Sequence, residues 1–311
     1  MKVNKLKVAV IVLVVINIVL ITLSVSEFKK ITDNSIVYQK DSSVEFYRSF
    51  LPLRKWEVDY PSVRANSAVT ALVDGDDIKL LFEKNGGASL PIASITKLMT
   101  VLVALDEYEL NDRLVISESA YSKDFSYLYP GESYTVKDLI YASLIESNNT
   151  AAQALAEGKY WDDTTFISKM NQKARSFGLE QTLFSNPSGL DPNNPSTPIN
   201  RSSPKDLVVF IEKILDKKII WQALMTPDYN LKTADGLFKY TMINTNELIG
   251  NNNNMKGGKT GNTARAGGNF IAVFERKGKT IVTVVLNSSS RFNDTNLMLD
   301  WIERAYYWET I

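Results

Sequence analysis

Three periodicities of apolar and polar residues organise this chain. The first is an apolar run, Val8 to Val25, interrupted only by Asn17, Thr22 and Ser24 and preceded by Lys2, Lys5 and Lys7. Wound as a helix, such a run spans roughly 27 Å, close to the ~30 Å hydrocarbon thickness of a bilayer. It predicts an N-terminal transmembrane helix within residues 1–30, a signal anchor. The small residues Ser24-Val25-Ser26 leave a cleaved signal peptide as the other reading. The leading lysines slightly outweigh Lys29 and Lys30 with Glu27, a weak bias that places the rest of the chain outside. Residues 31–60 mix charges with Phe46, Tyr47, Phe50 and Trp56 and read as a stalk partly packed on the domain that follows, 61–311.

The second periodicity is that of strands. Ala68–Val73 and Lys79–Glu83 flank the turn residues "DGDD", and strands near 269–275 and 280–286 form a second predicted hairpin. The third is helical. After Pro91, Ile95, Leu98, Met99, Leu102 and Leu105 recur at the spacing of one buried face. Thr135 with Asp138 resembles a capping box before a helix from Val136 to about Glu146. "SNNT" breaks that pattern, "AAQALAE" resumes it, and Phe166–Phe177 and the amphipathic end around Leu297, Met298, Trp301 and Ile302 add further helices. Residues 185–198, dense in Pro, Gly, Ser and Asn, are predicted loop. Strands at both ends with helices between them predict an α+β domain with one sheet assembled from distant parts of the chain.

Composition narrows the chemistry. Lys plus Arg equals Asp plus Glu at 35 each, so no basic excess supports nucleic-acid binding. Histidine and cysteine are both absent, which excludes disulfides, thiol nucleophiles, Cys/His zinc sites and Ser-His-Asp triads. Any nucleophilic serine must use another base.

"PIASITKLMT", residues 91–100, offers one. Ser94 and Lys97 lie three residues apart and share a helical face. Ser26/Lys29 and Ser202/Lys205 have the same spacing, and serine is also a common helix cap. Only Ser94/Lys97 has apolar residues directly behind it, Leu98 and Met99; the others lie beside the apolar run and in a Pro-flanked loop. Ser147-x-Asn149 falls in a break between helical stretches, and Lys259-Thr260-Gly261 directly precedes the second hairpin. Ser-x-x-Lys, Ser-x-Asn and Lys-Thr-Gly, in that order, form the set of penicillin-binding proteins and class A β-lactamases.

From about residue 61 to 304 the chain resembles the serine D-Ala-D-Ala carboxypeptidases, the low-molecular-mass penicillin-binding proteins. "LPIASITKLMT", "LYPGESYTVKDLIYASLIESNNTAAQALAE", "MNQKARSFGLEQTLFSNPSGLD", "NTNELI" and "GGKTGNTARAGGNFIAV" follow in family order. The resemblance implies a penicillin-recognising transpeptidase/β-lactamase-like fold: a five-stranded antiparallel sheet flanked by helices, beside an all-helical region. Three departures stand out. Thr150 occupies a position often Asp, Ser188 one often His, and the C-terminal β-domain and amphipathic tail of many members have no counterpart, a role the N-terminal anchor is expected to take.

A serine hydroxyl needs a base, and an ordinary lysine has a pKa of about 10.4. Lys97 is therefore expected to be buried, with the charge of Lys259 nearby holding its pKa down. Lys259 is also expected to attract a substrate carboxylate, with Thr260 donating a hydrogen bond and Gly261 letting the substrate backbone lie close to the strand. The resemblance further implies that Ser147 relays the proton, that Asn149 holds the substrate amide, and that the backbone N–H groups of Ser94 and Asn262 form an oxyanion hole. The expected activity is removal of the terminal D-Ala from peptidoglycan stem pentapeptides through an acyl-enzyme at Ser94, inhibited by β-lactams, without metal or cofactor. The expected location is the cell membrane, with the catalytic domain outside, or secretion if the leader is cleaved. A D,D-endopeptidase and a non-hydrolytic β-lactam-sensing protein are the alternatives. Residues 181–206 contain no Glu, which argues against the deacylating loop of a class A β-lactamase.

Overall fold

The computed structural model describes residues 16–26, 52–123, 126–158, 163–251, 254–276 and 278–308. Residues 16–26 are helical, while the remainder of the Val8–Val25 run and most of the predicted stalk lie outside the described residues. Among the described residues no helix is long and apolar enough to cross a membrane. The chain divides into a smaller unit made of both ends, 1–59 and 304–311, and a larger one, 60–303. In the smaller unit Leu53–Arg54 pairs antiparallel with Tyr306–Tyr307.

In the larger unit a five-stranded antiparallel sheet joins sequence-distant strands. β1 (Ser67–Asp74) and β2 (Asp77–Lys84) form the first hairpin; β3 (Met255–Thr263), β4 (Gly267–Arg276) and β5 (Lys279–Ser288) form the other part. Their order is β3-β4-β5-β1-β2, so β5 meets β1 in mid-sheet, with Val284 opposite Val69. The period of two decides what covers each face. Val69, Ala71 and Val73, with Val282 and Val284, enter the main core. Thr70 faces the other way, where its hydroxyl meets Thr283 at 3.4 Å and the Met298 sulfur at 3.7 Å. That second face is covered by α7 (Arg291–Ala305). Its Trp301 is fully buried, stacked on Tyr60 at 5.1 Å and edge-on to Phe82 at 5.6 Å.

The main core is helical. α1 (Lys97–Glu107), α2 (Val136–Ile145), α3 (Asn149–Glu157) and α4 (Asp163–Ser176) form the all-helical region, and α5 (Pro204–Ile214) and α6 (Lys218–Met225) follow. The cap expected at Thr135 is present: its Oγ1 accepts from the Asp138 N–H at 3.1 Å. α1 is buried along its first two turns, from Lys97 to Ala104. Two expectations are corrected. The helix predicted after Pro91 is a 3₁₀ turn, Ala93–Thr96, followed by α1, so Ser94 stands before the α-helix rather than on it. The Ser202/Lys205 segment is not a loop: Ser202 is buried in a short strand, Ser203 caps α5, and Lys205 pairs with Glu83 at 2.8 Å.

Replacing Trp301 by Ala should cost about 3–5 kcal/mol in a urea titration. Ser94 lies across the sheet from this cluster, so its reactivity in the still-folded protein should stay near that of the parent.

Candidate active site

Three segments meet at one buried amine. Lys97 is fully buried, and its Nζ donates to Ser94 Oγ at 2.9 Å, to Asn149 Oδ1 at 2.7 Å and to the Ser188 carbonyl at 2.7 Å. In a 3₁₀ turn residues i and i+3 eclipse, so the turn still stacks Ser94 over Lys97. Asn149 is delivered by the cap beside it. Asn148 Oδ1 accepts from the Ala151 N–H at 2.8 Å and starts α3, leaving Asn149 in its first turn.

The Ser188 carbonyl comes from the predicted loop, which is fastened to the nucleophile turn by Asn200. Buried Asn200 donates to Thr96 Oγ1 and to the Asn186 carbonyl, both at 2.8 Å, while its Oδ1 accepts from the Ser185 N–H at 2.7 Å. Gly189, at φ +83°, lies so close to Ala93 that a Cβ would stand 2.0 Å from the Ala93 carbonyl oxygen. Ala93 and Ser147 hold positive φ themselves, +47° and +67°. Such backbone costs on the order of 1–3 kcal/mol per residue and survives only where its surroundings enforce it.

Ser147 meets the third motif. Lys259, 1% exposed on edge strand β3, donates to Ser147 Oγ at 3.0 Å. Thr260 Oγ1 lies 2.6 Å from Thr245 Oγ1, and Arg291 donates to the Gly261 carbonyl at 3.1 Å. Gly261 has a further part besides the expected one. A Cβ there would stand 2.8 Å from the Ile92 carbonyl oxygen and 3.2 Å from the Ser94 nitrogen, so the missing side chain lets the strand reach the nucleophile turn. Asn262 is exposed one residue further along β3.

Burial, and secondarily the Arg291 charge, lower Lys259 to about 7. Arg291 is itself lowered by burial, partly offset by Glu247. Lys259 is thus half charged near neutrality, not the standing ammonium that the sequence led us to expect. All eight residues singled out from the sequence lie in this one region. Ser188, Thr245, Asn200 and Arg291 also belong to it. Arg291 belongs to none of the three motifs, and Ser188 acts through its main chain, which no residue letter reveals. Among the described residues no group of three or more His, Cys, Asp or Glu could hold a metal ion.

The sequence pattern of the D-alanyl-D-alanine carboxypeptidases, peptidase family S11, matches residues 55–290. The chain belongs to that family. Relatives and structures agree with the assignment. D-alanyl-D-alanine carboxypeptidase DacF of Bacillus subtilis is 34% identical over 253 residues, 78% of this chain and 63% of the relative. The chain therefore spans less than two thirds of that protein's length. The D-alanyl-D-alanine endopeptidase of Escherichia coli is 30% identical over 251 residues, 78% of each chain. The crystal structure of penicillin-binding protein D2 from Listeria monocytogenes in its ampicillin-bound form superposes with a TM-score of 0.66 at 28% identity, covering 78% of this chain and 99% of that one.

Two tests follow from this family site. Lys259 loses its proton near pH 7 when folded and near 10.4 when unfolded. Between those values the unfolded chain holds the extra proton, so this residue's contribution to stability rises with pH, approaching about 1.4 kcal/mol per unit, and is at its minimum below 7. Urea titrations from pH 6 to 10 should show the parent gaining on Lys259→Met over that window. Gly261→Ala should push β3 from the turn and cost about 1–3 kcal/mol, with acylation of Ser94 slowed at least tenfold in stopped-flow labelling.

Proposed function

We propose that the protein is a serine-type D-Ala-D-Ala carboxypeptidase acting on peptidoglycan stem peptides. The observation that carries this reading is the 2.9 Å contact between Lys97 Nζ and Ser94 Oγ, with the amine also bound to Asn149 Oδ1 and the Ser188 carbonyl. The last two groups only accept hydrogen bonds. A neutral amine satisfies both with its N–H bonds, and its lone pair then faces the Ser94 hydroxyl, the arrangement a general base needs.

In the proposed cycle Ser94 Oγ attacks the penultimate D-Ala carbonyl as its proton passes to Lys97. The backbone N–H groups of Ser94 and Asn262 stabilise the oxyanion, an effect typically worth about 3–4 kcal/mol. Ser147, bound to Lys259, relays a proton to the amine of the departing D-Ala. Lys259 and Thr260, with Arg291 close behind, receive the terminal carboxylate, and Asn149 holds the substrate amide. Water then releases the shortened peptide. Penicillins acylate the same serine, a reading supported by family membership and by the ampicillin-bound Listeria relative. The apolar run Val8–Val25 would hold the domain at the outer face of the cell membrane. Cleavage of peptide cross-links is the second reading, favoured by the likeness to the Escherichia coli endopeptidase.

Fluorescent penicillin should label the parent and not Ser94→Ala, and D-Ala should appear from a pentapeptide ending in D-Ala-D-Ala. Lys97→Ala should lower both rates by at least a thousandfold, without recovery at high pH. Label without D-Ala release, together with cleavage of cross-linked dimers, would move the assignment to the endopeptidase; labelling of Ser94→Ala at the parent rate would sink the site.

A further inference from the structure

A carboxylate beside the catalytic turn has no part in the cycle above. Glu146 ends α2, half-buried, directly before Ser147. Its Oε1 accepts from the Tyr240 hydroxyl and, at 2.9 Å, from Asn148 Nδ2. Asn148 is tied down twice more: its N–H donates to the Ala142 carbonyl at 3.1 Å, and its Oδ1 accepts from the Ala151 N–H at 2.8 Å. Glu146 precedes Ser147 and Asn148 follows it, so the carboxylate bridges the two sides of the serine.

Ser147 needs such a brace. Its φ of +67° lies in the left-handed region, which at a helix end is usually filled by glycine. Glycine would sit there without strain but would bring no hydroxyl. A serine in the same conformation stays only where its neighbours enforce it. Its Oγ must remain 3.0 Å from Lys259 Nζ, while Asn149, two residues on, remains 2.7 Å from Lys97 Nζ. Relaxation of the Ser147 backbone would turn the hydroxyl away from Lys259.

The brace is anchored in a separate element. Tyr240 belongs to strand Phe238–Ile243, which pairs with Asp228–Lys232, and it lies opposite Leu231 as Met242 lies opposite Tyr229. Leu231 and Met242 are fully buried, so this face of the hairpin packs inward and fixes the Tyr240 ring, with the Tyr127 ring 4.9 Å away. Burial, and secondarily the bond to Glu146, raises the pKa of the Tyr240 phenol, which keeps its hydroxyl a donor. The chain then reaches Thr245, whose N–H donates to the Ile145 carbonyl at 3.0 Å and whose Oγ1 lies 2.6 Å from Thr260 Oγ1. The end of α2 is thus gripped at the main chain of residue 145 and the side chain of residue 146, from a segment that also touches the strand carrying Lys259.

We infer that Glu146 is a positioning residue for the proton relay: by bridging Tyr240 and Asn148 it holds the strained Ser147 with its hydroxyl between Lys259 and the departing amine. The inference rests on the carboxypeptidase reading above. Two probes isolate the relay: Nα,Nε-diacetyl-L-Lys-D-Ala-D-Ala, and the thioester in which thioglycolate replaces the terminal D-Ala. With either, Ser94 Oγ forms the new ester bond and gives its proton to Lys97. In the peptide the C–N bond then breaks, and the departing nitrogen receives that proton through Ser147. In the thioester the C–S bond breaks and the thiolate leaves unaided, because a thiol has a pKa of only about 8.5.

Glu146→Ala should lower kcat/KM at least tenfold for the peptide and less than threefold for the thioester. Glu146→Gln keeps an acceptor oxygen for Tyr240 and Asn148 and should stay within threefold of the parent on both. Tyr240→Phe removes only the donor hydroxyl; it should show the same selective loss on the peptide, and it decides the question where Glu146→Ala does not fold. Equal losses on the two substrates, or no loss on the peptide, overturn the positioning role and leave the carboxypeptidase intact. A parent protein that releases no D-Ala from the peptide overturns the carboxypeptidase reading and the relay with it.

Discussion

The structure is organised around the satisfaction of one buried nitrogen. An ammonium at Lys97 has three protons to place, and a neutral amine has two protons and a lone pair. Asn149 Oδ1 and the Ser188 carbonyl can only accept, whereas Ser94 Oγ can accept or donate. The same three contacts therefore serve both protonation states, with only the Ser94 hydroxyl turning. A buried donor without a partner costs about 1–3 kcal/mol, more when charged, so removal of any one contact is felt at once. Residues 94–97, 149 and 188 must be held within one hydrogen-bond length of a common point, and much of the fold is a means of doing so.

Each support is physical and local. α1 is buried over its first two turns and fixes the base of Lys97. Asn148 starts α3 at the residue that places Asn149 on the amine. Asn200 binds loop and turn together. Glycines at 189 and 261 remove the Cβ atoms that would hold the loop and β3 away from Ala93 and Ser94. The strained backbones of Ala93 and Ser147 lie inside this frame, flanking the two hydroxyls that the proposed chemistry uses. Strain at those points is tolerable because the packing around them leaves no relaxed alternative.

Much of this could be read from residue letters, for reasons that differ by residue. Ser94/Lys97 stood out from two equally spaced pairs because only it had apolar residues behind it, the mark of a buried helix. The strands of both hairpins were legible because β1 and β5 alternate between two covered faces. The 3₁₀ character of residues 93–96 was not legible, since the same apolar spacing suits either helix. Nor was the role of Ser188, which lies in its main chain, nor that of Arg291, whose place depends on the β5–α7 connection turning back over β3. Residues 199–250 supply Asn200, two helices and the hairpin Asp228–Lys232/Phe238–Ile243, none of them marked by a motif.

The electrostatics required the largest revision. A permanently charged Lys259 would be a simple lure for a carboxylate, but burial and the neighbouring Arg291 bring it to about 7. An anion entering the site favours the ammonium, because an opposite charge close by raises the pKa of a lysine. In the proposed reaction carboxylate binding is then linked to proton uptake at Lys259, and Arg291 remains the cation that does not depend on it. Without an anion beside it, the pair Lys259–Ser147 is closer to neutral than the motif suggests. The cleft acquires its full positive charge only when the negative group that needs it is in place.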